Sequence, residues 1–254
     1  MRARFLATSG LLTLGLAPLG LFAACGDDTD PVPTLPLTTE LELVGEWSSV
    51  YGDETITATT WGSAAVRAHD NGDNWAIVQN PADDAFNPSK FARYVWTERS
   101  NGRFWYCVED YGLASLEAAG GSTKKADRTS PATGGCGGFP WTELFVPLEV
   151  RGTYTSNFGG METITSTAWA GTPLRAFDNT TNVAITQNAA DSPFNPGAFN
   201  KIVWTEPRAG SFYYCFVDFG LATLELAQSS TKTADATSPD TTGCGMFSWT
   251  KLSK

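Results

Sequence analysis

The back half of this chain repeats the front half. A shift of 108 positions carries Cys107 onto Cys215, Cys136 onto Cys244 and Trp96-Thr97-Glu98 onto Trp204-Thr205-Glu206, and from Glu54 to Leu144 more than half of the positions are identical. Upstream the match continues with a shift of 107, so Gly45 meets Gly152. Such a period is too long for a solenoid, whose repeats run from about 20 to 50 residues. It is close to the roughly 100 residues that make one small independent core. One folding unit is therefore expected twice, over residues 41–146 and 147–254.

The N-terminal segment carries an address. Arg2 and Arg4 precede an apolar run over residues 5–24 that ends in small residues before Cys25. That charge and length predict a cleavable export signal over residues 1–24. A membrane-spanning helix is the rival reading, and Gly10, Gly15, Pro18 and Gly20 weaken it. Phe22-Ala23-Ala24-Cys25 resembles the lipobox of bacterial lipoproteins, with Phe22 where such boxes usually hold Leu. The resemblance implies cleavage before Cys25, a diacylglycerol thioether on its sulfur and an acylated amine, hence a membrane partner held through lipid. It also implies the outer membrane, because Gly26 follows the cysteine where an Asp tends to favour inner-membrane retention. Residues 25–40, rich in Pro and acids, are expected to be a flexible tether. Removing residues 1–24 takes away two arginines and no acid, so the chain becomes still more acidic than its formal −10. Such a surface argues against nucleic acid or anionic lipid as a partner.

Of five cysteines, Cys25 is set aside for lipid and each copy keeps two at equal spacing. In an exported chain this predicts the disulfides Cys107–Cys136 and Cys215–Cys244. A zinc site is the rival, but short C-x-x-C spacing is missing and the sole histidine is His69. No metal and no cofactor are expected.

Strand signals dominate both copies. Residues 54–61 alternate with a period of two and are rich in β-branched types, and residues 162–169 repeat them. Residues 66–70 and 75–79 are predicted to pair through Asn71-Gly72, a type I′ turn signal, and residues 94–98 and 104–108 through Ser100-Asn101-Gly102. One short helix is expected where Leu113, Leu116 and Ala119 fall at helical spacing, with Asp110 placed to cap it. Leu221, Leu224, Ala227 and Asp218 repeat the arrangement. A last strand is expected over residues 139–145 and 247–252. Six or seven antiparallel strands and one helix predict an all-β unit, two tandem barrel-like or sandwich domains with one disulfide each. Gly45-Glu46-Trp47 resembles the Gly-x-Trp that begins the first strand of lipocalin-like barrels, which implies a barrel. The apolar link at Leu144-Phe145-Val146-Pro147 predicts that the units touch.

Candidate chemistry is sparse. Trp47, Trp75 and Trp105 become Tyr154, Val183 and Tyr213 in the second copy, whereas Trp61, Trp96 and Trp141 are retained as Trp169, Trp204 and Trp249. The retained set reads as core, and the three extras are the candidate ligand contacts, since rigid rings stack on sugars or line apolar pockets. Trp105 shares a strand face with Cys107 and would also serve to cover the disulfide. Thr55, Thr57 and Thr59 beside Trp61, repeated as Thr163, Thr165 and Thr167 beside Trp169, read either as a solvated sheet face or as a polysaccharide dock. The run from Asp70 to Asn74 lacks the ligand spacing of a calcium loop, and Asp83, Asn87, Asp191 and Asn195 lie in longer loops where a hard cation would find oxygen. His69 becomes Phe177, so no histidine triad exists in both copies. Glu98, Glu206, Asp110 and Asp218 would supply paired carboxylates for glycoside hydrolysis only if they face one another across a cleft. The expectation is a non-catalytic envelope lipoprotein whose two modules hold a carbohydrate or small amphipathic ligand. A structural or adhesive protein that binds another protein and a carbohydrate-active hydrolase are the alternatives.

Overall fold

Strands that follow one another in sequence lie side by side in space throughout this protein. The computed structural model describes residues 40–254 apart from Met246; the export signal, Cys25 and nearly all of the tether lie outside the described residues. The first copy supplies β1 (Gly45–Ser49), β2 (Gly52–Ile56), β3 (Thr60–Trp61), β4 (Ala64–Asp70), β5 (Trp75–Gln79), β6 (Phe91–Trp96) and β7 (Arg103–Leu113), then helix α1 (Leu116–Gly120) and β8 (Thr142–Phe145). Each strand pairs antiparallel with the next and β8 returns to β1, which closes the sheet into an up-and-down barrel. The second copy repeats this with β9 (Gly152–Ser156), β10 (Met161–Ile164), β11 (Ala168–Trp169), β12 (Thr172–Asp178), β13 (Val183–Gln187), β14 (Phe199–Trp204), β15 (Ser211–Leu221), α2 (Leu224–Ser229) and β16 (Thr250–Ser253). Of the barrel and sandwich alternatives the barrel is realised, and closure leaves no unpaired edge.

Eight strands form where six or seven were expected, because residues 54–61 are two strands. The Thr57 hydroxyl accepts the backbone N–H groups of Thr59 and Thr60 at 3.2 and 2.9 Å and turns the chain back on itself. Thr165 does the same for Thr167 and Ala168. Side-chain capture of backbone donors competes with strand continuation at such residues. The turn chemistry is also redistributed. Asn101 and Gly102 both hold positive φ, 50° and 71°, as a two-residue type I′ hairpin requires, and Ala209 and Gly210 follow at 49° and 77°. At Asn71-Gly72 neither residue does; the positive φ falls on Asn74 instead.

Asn71 has another task. Its side-chain amide donates to the Glu40 carbonyl at 2.8 Å and its oxygen accepts from Glu42 N–H at 3.2 Å. Asn179 grips Pro147 and Glu149 in the same way. These contacts hold the segment ahead of each barrel across one end as a plug, with Leu41 and Leu43, or Leu148 and Val150, driven into the barrel core. The Trp96 indole N–H donates to Glu42 at 2.6 Å and the Trp204 indole to Glu149 at 2.7 Å, so the plug is fixed from inside as well. Above it the first interior is filled by Trp47, Ile56, Trp61, Trp96, Phe104 and Leu144. The retained Trp61, Trp96, Trp169 and Trp204 are interior core, as expected.

The helix packs outside. A bulge between Val66 and Ala68 lets Val66 point inward while Ala68 points outward, where Ile77, Leu113 and Leu116 meet Ala119. Ser115, not Asp110, caps α1 by accepting Ala118 N–H, and Thr223, not Asp218, caps α2. Leu113 closes β7 and precedes the helix. The disulfides form as expected, with Cα separations of 5.5 and 5.6 Å. In the loop that leads to Cys136, Asp127 accepts the Trp141 indole at 3.0 Å, and Gly135 at φ 94° lies so close that any side chain there would strike the Asp127 carbonyl. That loop delays the last strand: Phe139 bridges to Cys136 as an exposed residue and β8 starts at Thr142.

The barrels touch. Ser48 Oγ and Ser166 Oγ are hydrogen-bonded at 2.9 Å, Arg151 pairs with Asp53 at 3.4 Å, and the Phe145 and Phe177 rings stand 6.1 Å apart.

Candidate functional site

Opposite its plug the first barrel is not filled. The inward positions of β6 read Ala92, Tyr94 and Trp96, so bulk at the plugged end gives way to a methyl group near the mouth. A cavity of about 660 Å³ opens at this end, within the range of small-molecule sites. Glu54, Trp61, Tyr94 and Tyr106 line it from the strands, while Tyr51, Asp84, Phe86 and Asn87 come from the loops around it. Tyr51 and Phe86 are 81% and 90% exposed, free aromatic surface at the rim.

The three strand-borne rings are in mutual contact. Trp61 stands 5.2 Å from Tyr94 and 5.3 Å from Tyr106, and the two tyrosines stack at 5.8 Å. Beside them lies the Glu54 carboxylate. Burial raises its pKa above the ordinary 4.5, and the Trp61 indole, which faces it, takes back part of that rise. The indole N–H is buried yet meets no acceptor at full hydrogen-bond geometry. Burial also pushes the Tyr94 phenol up to about 12, with the Glu54 charge adding to the effect, and moves Tyr106 the same way. Both phenols therefore keep their protons near neutrality. The other acids of the mouth are engaged. Asp53 receives Ser48 and pairs with Arg151, and Asp84 accepts the N–H groups of Phe86 and Asn87 at 3.0 and 2.7 Å. Among the described residues no Lys, Arg or His lines the cavity.

No protein-family model, curated protein or solved structure matches this chain. The second barrel is its built-in comparison. There the Tyr214 hydroxyl donates to Glu162 at 2.9 and 3.2 Å, so the carboxylate matching Glu54 has an internal partner. Ile202 replaces Tyr94, and Asn200 replaces Ala92, tying itself to Asn188 at 2.8 Å and to Gly220 N–H at 3.3 Å. The inward indoles of Trp61 and Trp169 are alike in meeting no acceptor at full hydrogen-bond geometry; the two mouths differ in that Glu162 is bonded to a tyrosine hydroxyl and Glu54 is not.

The structure does not bring Trp47, Trp75 and Trp105 together, and none of them lines the cavity. Trp47 sits in the core near the plug, 2% exposed, donating to the Leu43 carbonyl at 2.7 Å, edge-on to Phe104 and beneath Arg99. Trp75 lies on the outer face under the Arg93 guanidinium, 4.9 Å away. Trp105 packs outside with Val95, Cys107 and Trp141, over the disulfide. The threonine row is likewise divided: Thr55 points outward to Glu46, Thr57 and Thr59 make the turn, and Trp61 points inward.

The acids weighed for glycoside chemistry are separated and occupied. Glu98 lies in the loop at the plugged end and accepts from Asn74, whereas Asp110 lies seven residues into β7 and holds Lys124 at 2.6 Å and Ser122 at 2.7 Å. Glu206 and Asp218 repeat these contacts with Asn182, Lys232 and Ser230. Lys232 and Ser230 hold Asp218 below the usual carboxylate range; at Asp110 burial pushes upward and is outweighed by Lys124 and Ser122. Among the described residues no three His, Cys, Asp or Glu side chains stand where they could hold a metal ion.

Glu54, Tyr94, Tyr106 and Ala92 were not singled out by the sequence. For Tyr94 and Ala92 the signal was available in the substitutions to Ile202 and Asn200, once inward and outward positions are known; Glu54 and Tyr106, identical in both copies, gave none.

Proposed function

We propose that this protein is a lipid-anchored lipoprotein of the cell envelope, attached to the outer membrane through Cys25, whose first barrel binds a small amphipathic or carbohydrate ligand at its mouth. The single observation behind this reading is the contrast between the two mouths: 660 Å³ of aromatic and polar space beside an unanswered Glu54, against a Glu162 already bonded to Tyr214. Eight-stranded barrels are just wide enough either to be filled by their own side chains or to hold one small ligand. Within this chain the first barrel is the proposed binder, and the second, with Glu162 bonded to Tyr214, is the scaffold.

The test copies the second mouth into the first. Calorimetric titration of the protein with a panel of short glycans and short-chain amphiphiles is expected to find a saturable ligand at one site per chain. In the double variant Ala92→Asn, Tyr94→Ile the affinity for that ligand drops by at least about tenfold, the loss of one well-placed ring contact. Unchanged affinity in the variant would place the site elsewhere.

One set of residues favours a protein partner as a second reading. Tyr111 and Phe139 are 64% and 74% exposed, and their counterparts Phe219 and Phe247 are 67% and 73% exposed. Large rings left in solvent twice over suit a repeated contact surface.

A further inference from the structure

Resting on that reading, we propose that the ligand of the first barrel is a small amphipathic organic cation, its ammonium head seated beside Glu54 against Tyr94, Tyr106 and Trp61 and its apolar part against the rim rings Tyr51 and Phe86.

Charge is the first ground. Among the described residues no cation pairs with Glu54, whose carboxylate is half-buried at the cavity wall beside the Trp61 indole. Buried charges are paired as a rule, because desolvation without a counter-charge is costly. Asp53 pairs with Arg151, whereas Asp84 is held only by backbone N–H groups, so among the described residues two carboxylates at the cavity wall, Glu54 and Asp84, have no counter-charge. A carboxylate or sulfate ligand would add like charge to them, and a neutral sugar would leave them uncompensated. A cation supplies the counter-charge.

Ring chemistry is the second ground. Elsewhere in this protein aromatic faces carry a protein cation: Arg99 over Trp47 at 4.9 Å, Arg93 over Trp75 at 4.9 Å, Lys251 over Tyr213 at 5.3 Å and Lys254 over Tyr154 at 5.6 Å. Among the described residues Trp61, Tyr94 and Tyr106 have ring partners and no such cation. Electron-rich ring faces attract cations, most of all where water is excluded, and aromatic boxes hold quaternary ammonium groups by this means. The second barrel supports the assignment by contrast. With Ile202 in place of one ring and Tyr214 bonded to the carboxylate, it offers neither the box nor the free charge.

Three probes of equal chain length separate the possibilities: hexyltrimethylammonium, hexyl glucoside and hexyl sulfate, titrated calorimetrically into the purified protein below micellar concentrations. The cation is expected to bind at one site per chain, about tenfold or more tighter than the glucoside, with the sulfate weakest. Glu54→Gln is expected to weaken cation binding by about tenfold. If that variant loses its β-sheet circular dichroism, the salt response of the unmodified protein decides, since cation binding should weaken from low to physiological salt and glucoside binding should not. Equal affinities for cation and glucoside, or preference for the sulfate, would overturn the cation assignment while leaving the mouth as a binding site. Binding of none of the three would remove both.

Discussion

At the scale of single residues, Glu54 is the group through which pH would act on the proposed cation site. Its carboxyl pKa is raised by burial, so the negative charge offered to a cation disappears as pH falls through a value above the ordinary 4.5. The other groups facing it are Asp53 and Asp84, which are engaged by Ser48, Arg151 and the loop backbone, and the phenols Tyr94 and Tyr106, which stay protonated. Cation affinity should therefore decline in the mildly acidic range, and titrations at stepped pH would detect it; a flat profile would argue that Glu54 takes no part. In the unliganded protein the same group acts in the opposite sense. The folded state binds its proton more tightly than the unfolded chain, so the stability it contributes is complete below pH 4.5 and is lost as pH rises through the folded value.

At the scale of elements, each barrel is held by devices at its two ends and along one flank. Asn71 and Asn179 fasten the plugs, Thr57 and Thr165 turn the corners that make eight strands, and the disulfide clamps the long loop after α1 or α2 to the middle of β7 or β15. Each bridge closes a loop with a sequence separation of 29. By chain entropy such a closure contributes about 3.5 kcal/mol. Replacing Cys107 and Cys136 by Ser should lower the unfolding free energy of the first barrel by about that amount in urea under non-reducing conditions. The loop is otherwise tied down by the Trp141 contact to Asp127, so a loss near zero would mean that this contact suffices.

At the scale of the whole molecule, the link between the barrels is part of their packing. Pro147, Leu148 and Val150 are buried, Leu148 N–H is bonded to Ser166, and the same segment plugs the second barrel. A protease needs several residues of accessible, extended chain, and buried backbone denies it. Limited proteolysis should therefore spare residues 146–151 and yield one fragment containing both barrels. Early cutting beside Pro147, with release of two separate halves, would contradict this packing. The duplication thus supplies two barrels in one body whose corresponding carboxylates differ, Glu162 being bonded to Tyr214 and Glu54 lining an open cavity.

The sequence by itself determined the duplication, the all-β class, the short helix and the pairing of the four cysteines, because these follow from local alternation, spacing and the identity between copies. It also marked Trp61 and Trp96 as core, since a large ring retained in both copies answers to packing. Strand number and turn type were less legible: residues 54–61 alternate without a break, and only the geometry of Thr57 reveals that a hydroxyl has captured two backbone donors. Asn71-Gly72 reads as a hairpin turn, yet tertiary contact with Glu40 and Glu42 claims the Asn side chain. The site lay furthest from reach. Counting tryptophans pointed to Trp47, Trp75 and Trp105, but which way each ring faces is fixed by the closure of the barrel, and closure turned the first into the core and the other two outward. Only the tertiary structure decided that one end is plugged, that a cavity opens at the other, and that Glu54 meets rings instead of a counter-charge. Those outcomes depend on distances between residues far apart in the chain, which local pattern does not encode.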